Sequence, residues 1–102
     1  MKKINLKEEI EKLNIDIKDF EKYIKTKVNT DVNTFLKSNF IFQLGFFIEY
    51  FYNYGFTLCP NKESDNSIYL QIYFNTKFMK AIQHEDFEEA FKYAILYCFK
   101  PF

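Results

Sequence analysis

The sequence contains no arginine: lysine provides all 14 of its basic residues, and 14 acidic residues balance them to a formal net charge of zero. The balance also holds along the chain, because residues 1–40 carry nine lysines against seven acids and residues 41–102 carry five against seven. Nucleic-acid-binding domains concentrate positive charge and use arginine to recognise phosphate and guanine. We therefore do not expect nucleic acid to be a partner.

Histidine and cysteine are also scarce. Cys59 and Cys98 form no Cys-x-x-Cys motif, and the single histidine, His84, cannot complete a zinc site with them at any usual spacing. We expect no metal or other cofactor. The opening MKKINLKEEIEKL carries charges throughout and lacks the apolar run of a signal peptide. These features predict a cytoplasmic protein (in the host cytoplasm if phage-encoded) that does not associate with membranes and whose two thiols are free and buried.

Glycine is too rare for a phosphate-binding loop, since Gly45 and Gly55 are the only two in the chain. No nucleophile, base and orienting residue occur in a recognisable pattern. His84 precedes an acid-rich run, EDFEE, but acids are typical of the first turn of a helix, where the helix dipole favours them. We therefore predict that the chain is not an enzyme.

Aromatic residues are abundant, with 14 Phe and 8 Tyr making up 22% of the chain. Phe, Tyr, Ile, Asn and Lys are residues of AT-rich codons, so genome composition explains part of this excess. Apolar residues at 48% and charged residues at 27% are typical of a globular protein. The length predicts one domain, residues 1–102, with a hydrophobic core of its own.

Residues 5–27 have the apolar spacing of an amphipathic helix, with a capping residue at Asn5. The helix is expected to dock on the chain's own core, and a coiled-coil dimer is the alternative. Asn14 and Asp16 have low helix propensity, so a break into two shorter helices is a second alternative. The apolar positions recur at steps of three and four residues: Leu6, Ile10, Leu13, Ile17, Phe20 and Ile24.

A connection follows, with a short helical turn predicted at 31–37. The next seventeen residues, FIFQLGFFIEYFYNYGF, contain one charge. They predict a helix of about four turns that ends at Gly55, where a glycine commonly terminates a helix. Gly45 is expected to allow a close approach of a neighbouring element. The face predicted to point to the core consists of Phe40, Leu44, Phe47, Phe51 and Tyr54.

This aromatic helix is predicted to be buried rather than to cross a membrane. A span needs about 20 apolar residues, whereas Gln43, Glu49 and Asn53 interrupt this stretch. Because aromatic residues occur on two of its faces, the helix is expected to lie between a sheet and the N-terminal helix.

Two strands are predicted after it: FTLCP at 56–60, ended by Pro60, and SIYLQIYFN at 67–75, which alternates strictly. Residues 76–85 have no clear pattern. A final helix at 87–100 is expected to begin at a cap formed by Asp86 and Glu89 and to end before Pro101. The predicted fold class is α+β, a small antiparallel hairpin or sheet packed with three or four helices in the order α(α)αββα.

The candidate binding residues are aromatic. Ile68, Leu70, Ile72 and Phe74 already provide a core face for the second strand, so Tyr69, Gln71 and Tyr73 point away from it. These three residues are predicted to bind a protein partner, unless a helix covers them as well. Phe42 and Phe46, on the outer side of the aromatic helix, are further candidates.

We therefore expect a non-enzymatic protein-binding module. The most specific form is an accessory protein of a phage or mobile element that inhibits a larger host enzyme by occlusion, as anti-CRISPR proteins and toxin-immunity proteins do. The alternative is a homo-oligomeric structural or adaptor subunit, a homodimer for example, assembled through the N-terminal stripe or an edge of the hairpin. A weak single-stranded nucleic-acid binder that uses Tyr69 and Tyr73 ranks third.

Overall fold

Four helices, three strands and a fifth helix follow one another in the computed structural model, which describes residues 3–62 and 67–100. The helices are α1 (Leu6–Lys12), α2 (Lys18–Val28), α3 (Val32–Lys37), α4 (Phe40–Asn53) and α5 (Phe87–Phe99), and the strands are β1 (Phe56–Lys62), β2 (Ile68–Phe74) and β3 (Lys77–His84). The predicted α+β class is confirmed, with one strand more than the predicted hairpin.

The N-terminal region forms two helices, so the predicted alternative of a break is confirmed. Asn14 adopts a left-handed conformation with φ of 53°, and the Asp16 carboxylate accepts a hydrogen bond of 3.0 Å from the Lys18 N–H as α2 begins. The apolar stripe docks on the core of its own chain. Its buried members are not available to a coiled-coil partner, so that alternative is wrong; they are Leu6, Ile10, Phe20 and Ile24.

Asn39 caps the N-terminus of helix α4: its side chain accepts a hydrogen bond of 2.8 Å from the Ile41 N–H. The helix ends at Asn53, two residues before Gly55, close to the predicted end. Gly55 has φ of +100°, and a Cβ at this position would lie 2.5 Å from the Oδ1 atom of Asn75. The positive φ therefore requires glycine, and a larger residue would also have to displace the Asn75 side chain. Among the described residues, no helix is long and apolar enough to cross a membrane.

Two expectations for α4 are wrong. Tyr54 is exposed, because the helix ends at Asn53 and the Tyr54 hydroxyl reaches Asp19 at the surface. Gly45 does not mediate a close approach, because no described atom lies within 4 Å of the position that its Cβ would occupy. The predicted core face is otherwise confirmed, since its four remaining members are buried: Phe40, Leu44, Phe47 and Phe51.

The three strands form an antiparallel sheet in the order β1-β2-β3. Pro60 does not end β1 as expected but lies within it, opposite Leu70. β1 is an edge strand, where a residue without an N–H group is tolerated because no neighbour on that side needs the hydrogen bond. Asn75 and Thr76 join β2 to β3 with positive φ at both positions, which matches a two-residue type I′ turn.

The helices cover one face of this sheet: α4 packs on β1, and α5 packs on β2 and β3. Ile68, Leu70 and Ile72 point into the resulting core and are buried, as predicted. Phe74, at the end of β2, is only partly buried.

Asp86 caps the N-terminus of helix α5, and its carboxylate accepts a hydrogen bond of 3.2 Å from the Glu89 N–H. The Glu89 side chain does not return to Asp86 as a capping box would require. Instead, the Asp86 N–H donates to Nδ1 of His84 at 2.9 Å, which gives the histidine its expected place at the helix N-terminus. Pro101, predicted to end this helix, lies outside the described residues.

A buried ion pair attaches the N-terminal segment to α5. Glu89 accepts a hydrogen bond of 2.6 Å from the Ile4 N–H, and the Lys92 ammonium donates to the Ile4 carbonyl at 3.0 Å. The two side chains also pair with each other, at 3.2 Å between Oε2 and Nζ. The Glu89 and Lys92 side chains are largely removed from solvent. Together they hold the backbone of Ile4, and each side chain also keeps the other in position.

Candidate protein-binding surface

The side chains that alternate with the core residues of β2 point to the face of the sheet opposite α4 and α5. Strand register adds three positions from each neighbouring strand. We call these nine residues the outer sheet face: Thr57, Cys59, Asn61, Tyr69, Gln71, Tyr73, Phe78, Ala81 and Gln83.

None of the nine residues of the outer sheet face carries a charge, and none belongs to the hydrophobic core. Tyr69, Gln71 and Tyr73 are partly exposed although β2 is the central strand, and Phe78 is 50% exposed. In the described part of the chain, the helices that contact the sheet pack on its other face. The outer sheet face is therefore an open, uncharged surface with three aromatic side chains.

Contacts across the strands hold part of this face in place. The rings of Tyr73 and Phe78 meet edge to face with centroids 5.8 Å apart. The Asn61 amide donates a hydrogen bond of 3.4 Å to the Gln71 carbonyl oxygen. Phe78 belongs to β3, which has no clear strand pattern in the sequence, so its place beside Tyr73 becomes visible only through the register of the sheet.

The two cysteines differ, and the prediction that both are buried is wrong for Cys59. Cys98 lies in the core, where burial raises the pKa of its thiol to about 12. Cys59 is only partly buried, because it lies opposite Gln71 on the outer sheet face and not on the core side of β1. Its thiol can therefore report on access to this face.

The other two candidates, Phe42 and Phe46, lie on α4 and not on the sheet. Phe42 is about half exposed, whereas Phe46 is partly buried against Phe35 with ring centroids 5.8 Å apart. Because α4 packs on the core side of the sheet, the structure does not bring these two residues together with Tyr69 and Tyr73. The five predicted residues therefore belong to two separate surfaces.

A second polar cluster joins α2 to α4. Asp19 accepts hydrogen bonds from the hydroxyl groups of Tyr54 and Tyr50, the latter at 2.9 Å. Glu49 accepts one from Tyr23 and pairs with Lys27 at 3.0 Å. No pattern in the sequence reveals this cluster, because its hydrogen-bonded pairs are 26 to 35 residues apart.

The hydrogen bonds in this cluster change the titration of its members. Those donated by Tyr54 and Tyr50 hold the pKa of the Asp19 carboxyl below its ordinary value. Tyr23 and Lys27 do the same for the pKa of Glu49. Burial raises the pKa of Tyr50 and of Tyr23, so both phenols stay neutral at physiological pH and act as donors.

These shifts predict how stability depends on pH. A carboxyl group whose pKa is lowered by folding contributes stability above its unfolded pKa of about 4 and loses it as the pH falls through the folded value. Asp19→Asn should therefore be less stable than the parent at pH 6, and its stability should decline less between pH 5 and 3, as measured by urea denaturation. Asp31→Asn should also decline less, because folding lowers the pKa of that carboxyl as well; since Asp31 caps α3 outside the tyrosine cluster, it gives the size of the effect for a helix cap alone. Equal acid slopes for the parent and Asp19→Asn would contradict the prediction.

Comparison of the chain with protein-family models, with curated proteins and with solved structures finds no match. Within residues 3–62 and 67–100, no group of three or more His, Cys, Asp and Glu side chains is arranged to hold a metal ion.

Proposed function

We propose that this chain is a non-enzymatic protein-binding module whose outer sheet face docks on a larger protein. The observation that carries the proposal is the uncharged character of this face together with its three partly exposed aromatic residues, Tyr69, Tyr73 and Phe78. In its most specific form, the chain inhibits a host enzyme by covering part of its surface. The small size and AT-rich-codon composition suit an accessory protein of a phage or mobile element.

The physical chemistry of the face favours a protein partner. Burying it requires no charge to be desolvated, and unpaired buried charges are among the most unfavourable features of an interface. Tyrosine supplies a large contact area with only two torsions to fix, which keeps the entropic cost of binding low. The nine residues span about 10 Å across the three strands and about 13 Å along them, from the usual strand spacing and rise. They would form the centre of an interface, around which the strand ends and loops would form the polar rim.

A single-stranded nucleic acid fits the same face less well. Stacking on aromatic residues contributes to such binding, but a basic groove that follows the phosphates is its usual companion. The outer sheet face carries no lysine, and Lys80 of β3 points to the core side, where its ammonium lies 5.9 Å from the centroid of the Tyr97 ring.

The proposal predicts that Tyr69→Ala with Tyr73→Ala weakens partner binding by at least about 2 kcal/mol, or thirtyfold in affinity. The tagged parent would be used to capture its partner from extracts of the source cells, and the isolated pair would then be titrated by calorimetry. Tyr93→Ala is the control, since it removes an exposed tyrosine from α5, away from the outer sheet face. The double variant should keep the circular dichroism of the parent.

Thiol labelling gives an independent measurement on the same surface. Cys59 should react with a thiol reagent in the free protein and be protected when the partner is bound, whereas Cys98 should react only after unfolding. Normal binding by a folded double variant would exclude this face as the interface. Binding of single-stranded RNA that falls steeply with added salt would favour the nucleic-acid alternative.

A further inference from the structure

Helix α4 carries a second exposed apolar surface, on the side that does not face the core. Ile41 is 55% exposed, Ile48 39% and Tyr52 67%. With Gly45, these residues lie within about 60° of one another around the helix, at 100° per residue. We call these four residues the α4 stripe; the half-exposed ring of Phe42 flanks it.

Gly45, in the middle of the α4 stripe, has no role in the fold of one chain. An added Cβ would meet no described atom within 4 Å, so the position could hold alanine or a larger residue. Glycine inside a helix is unfavourable relative to alanine. Here it leaves an indentation between Ile41 and Ile48 that an opposing side chain can fill.

The α4 stripes of two copies can pack against each other. When two copies of α4 run antiparallel about a two-fold axis between residues 46 and 47, Ile41 lies opposite Tyr52 of the second copy. The same axis places Gly45 opposite Ile48 of the second copy, so a large side chain enters each indentation. We propose that the α4 stripe is a homodimer interface of this isologous kind. The occupant is therefore a second copy of the chain.

The charges around the α4 stripe permit this pairing. Glu49 is the only charged residue of α4, and its carboxylate is already paired with Lys27 at 3.0 Å. Two copies of a chain with zero net charge also have no overall repulsion. The N-terminal stripe is the alternative oligomer interface that the sequence offers, but four of its six residues are buried in their own chain and are not available for pairing: Leu6, Ile10, Phe20 and Ile24.

The area available indicates a weak dimer. A fully buried aromatic side chain contributes about 150–250 Å², so the exposed parts of Phe42 and the α4 stripe amount to roughly 400 Å² per copy. Both copies together would bury about 800 Å², which is below the roughly 1,000 Å² of a stable specific interface. The dimer should therefore form at micromolar or higher concentrations and dissociate on dilution.

Sedimentation equilibrium of the full chain, from about 1 to 500 μM, tests the proposal. The parent should change from its monomer mass of 12.5 kDa to twice that mass across this range. Ile48→Glu and Gly45→Leu should each weaken dimerisation at least tenfold. Gly45→Ala and Gly45→Leu should keep the circular dichroism of the parent, and at low concentration Gly45→Ala should melt at or above the parent's temperature.

Phe78→Glu is the matched control, because it places a charge at a comparably exposed apolar position on the outer sheet face. Phe78→Glu should dimerise like the parent and lose partner binding. Ile48→Glu should lose dimerisation and bind the partner like the parent. The dimer proposal and the proposed function can therefore be contradicted independently of each other. A parent that stays monomeric at 500 μM would overturn the dimer. Dimerisation that is abolished by Phe78→Glu, or unaffected by Ile48→Glu, would overturn the assignment to α4.

Discussion

Phe47→Ala should lower the free energy of unfolding by about 3–5 kcal/mol, which is the usual range for removal of a buried phenylalanine. The Phe47 side chain is 0% exposed. Its ring stacks on Phe20 of α2 with centroids 4.7 Å apart and meets Phe35 of α3 and Phe99 of α5 at 5.9 and 6.1 Å. The substitution would therefore leave a cavity where four helices meet.

A loss of that size is a large part of the roughly 5–15 kcal/mol that stabilises a typical domain, so the variant should be partly or wholly unfolded at 37 °C. Urea denaturation followed by circular dichroism measures the difference. Phe42→Ala is the matched control, because it removes the same side chain from a half-exposed position of the same helix. If the two variants lost the same stability, the assignment of core and surface faces of α4 would be wrong.

Glu89→Ala should lower the free energy of unfolding by a similar amount, about 3–5 kcal/mol, because it removes one partner of a buried ion pair. Glu89 is 4% exposed, and its carboxylate contacts both the Ile4 N–H and the Lys92 ammonium. Without it, Lys92 keeps a largely buried charge and the Ile4 N–H loses its acceptor. The N-terminal segment and α1 should then detach from α5 before the rest of the protein unfolds.

Hydrogen exchange at Ile4 and in α1 would show this detachment directly, alongside the urea measurement. Glu89→Gln should lie between the parent and Glu89→Ala, because the amide keeps an oxygen acceptor for Ile4 but loses the charge. Glu88→Ala, one position earlier in the first turn of α5, should cost only about 0.3–1 kcal/mol through the helix dipole. A Glu89→Ala variant no less stable than Glu88→Ala would show that the ion pair contributes little.

The sequence alone determined the secondary structure wherever a helix or strand is buried on one side, because its apolar residues then recur at a regular spacing. The apolar residues of α2 and α4 recur at helical spacing, and Ile68, Leu70 and Ile72 alternate because only one face of β2 meets the core. The same alternation placed Tyr69 and Tyr73 on the outer sheet face. Capping residues such as Asn5 and Asp86 were also visible, since a cap interacts with a backbone group only three residues away.

Only the tertiary structure decided which residues meet across long separations. Cys59 faces outward because the register of β1 with β2 places it opposite Gln71, and Pro60 is tolerated because β1 is an edge strand. Glu89, which looks like one acid of a helix first turn, is buried because Ile4, 85 residues away, donates to it. The spacing of apolar residues in the sequence shows which side of a helix or strand is buried. Which residues contact that side is decided only when the whole chain folds, because the partners come from distant parts of the sequence.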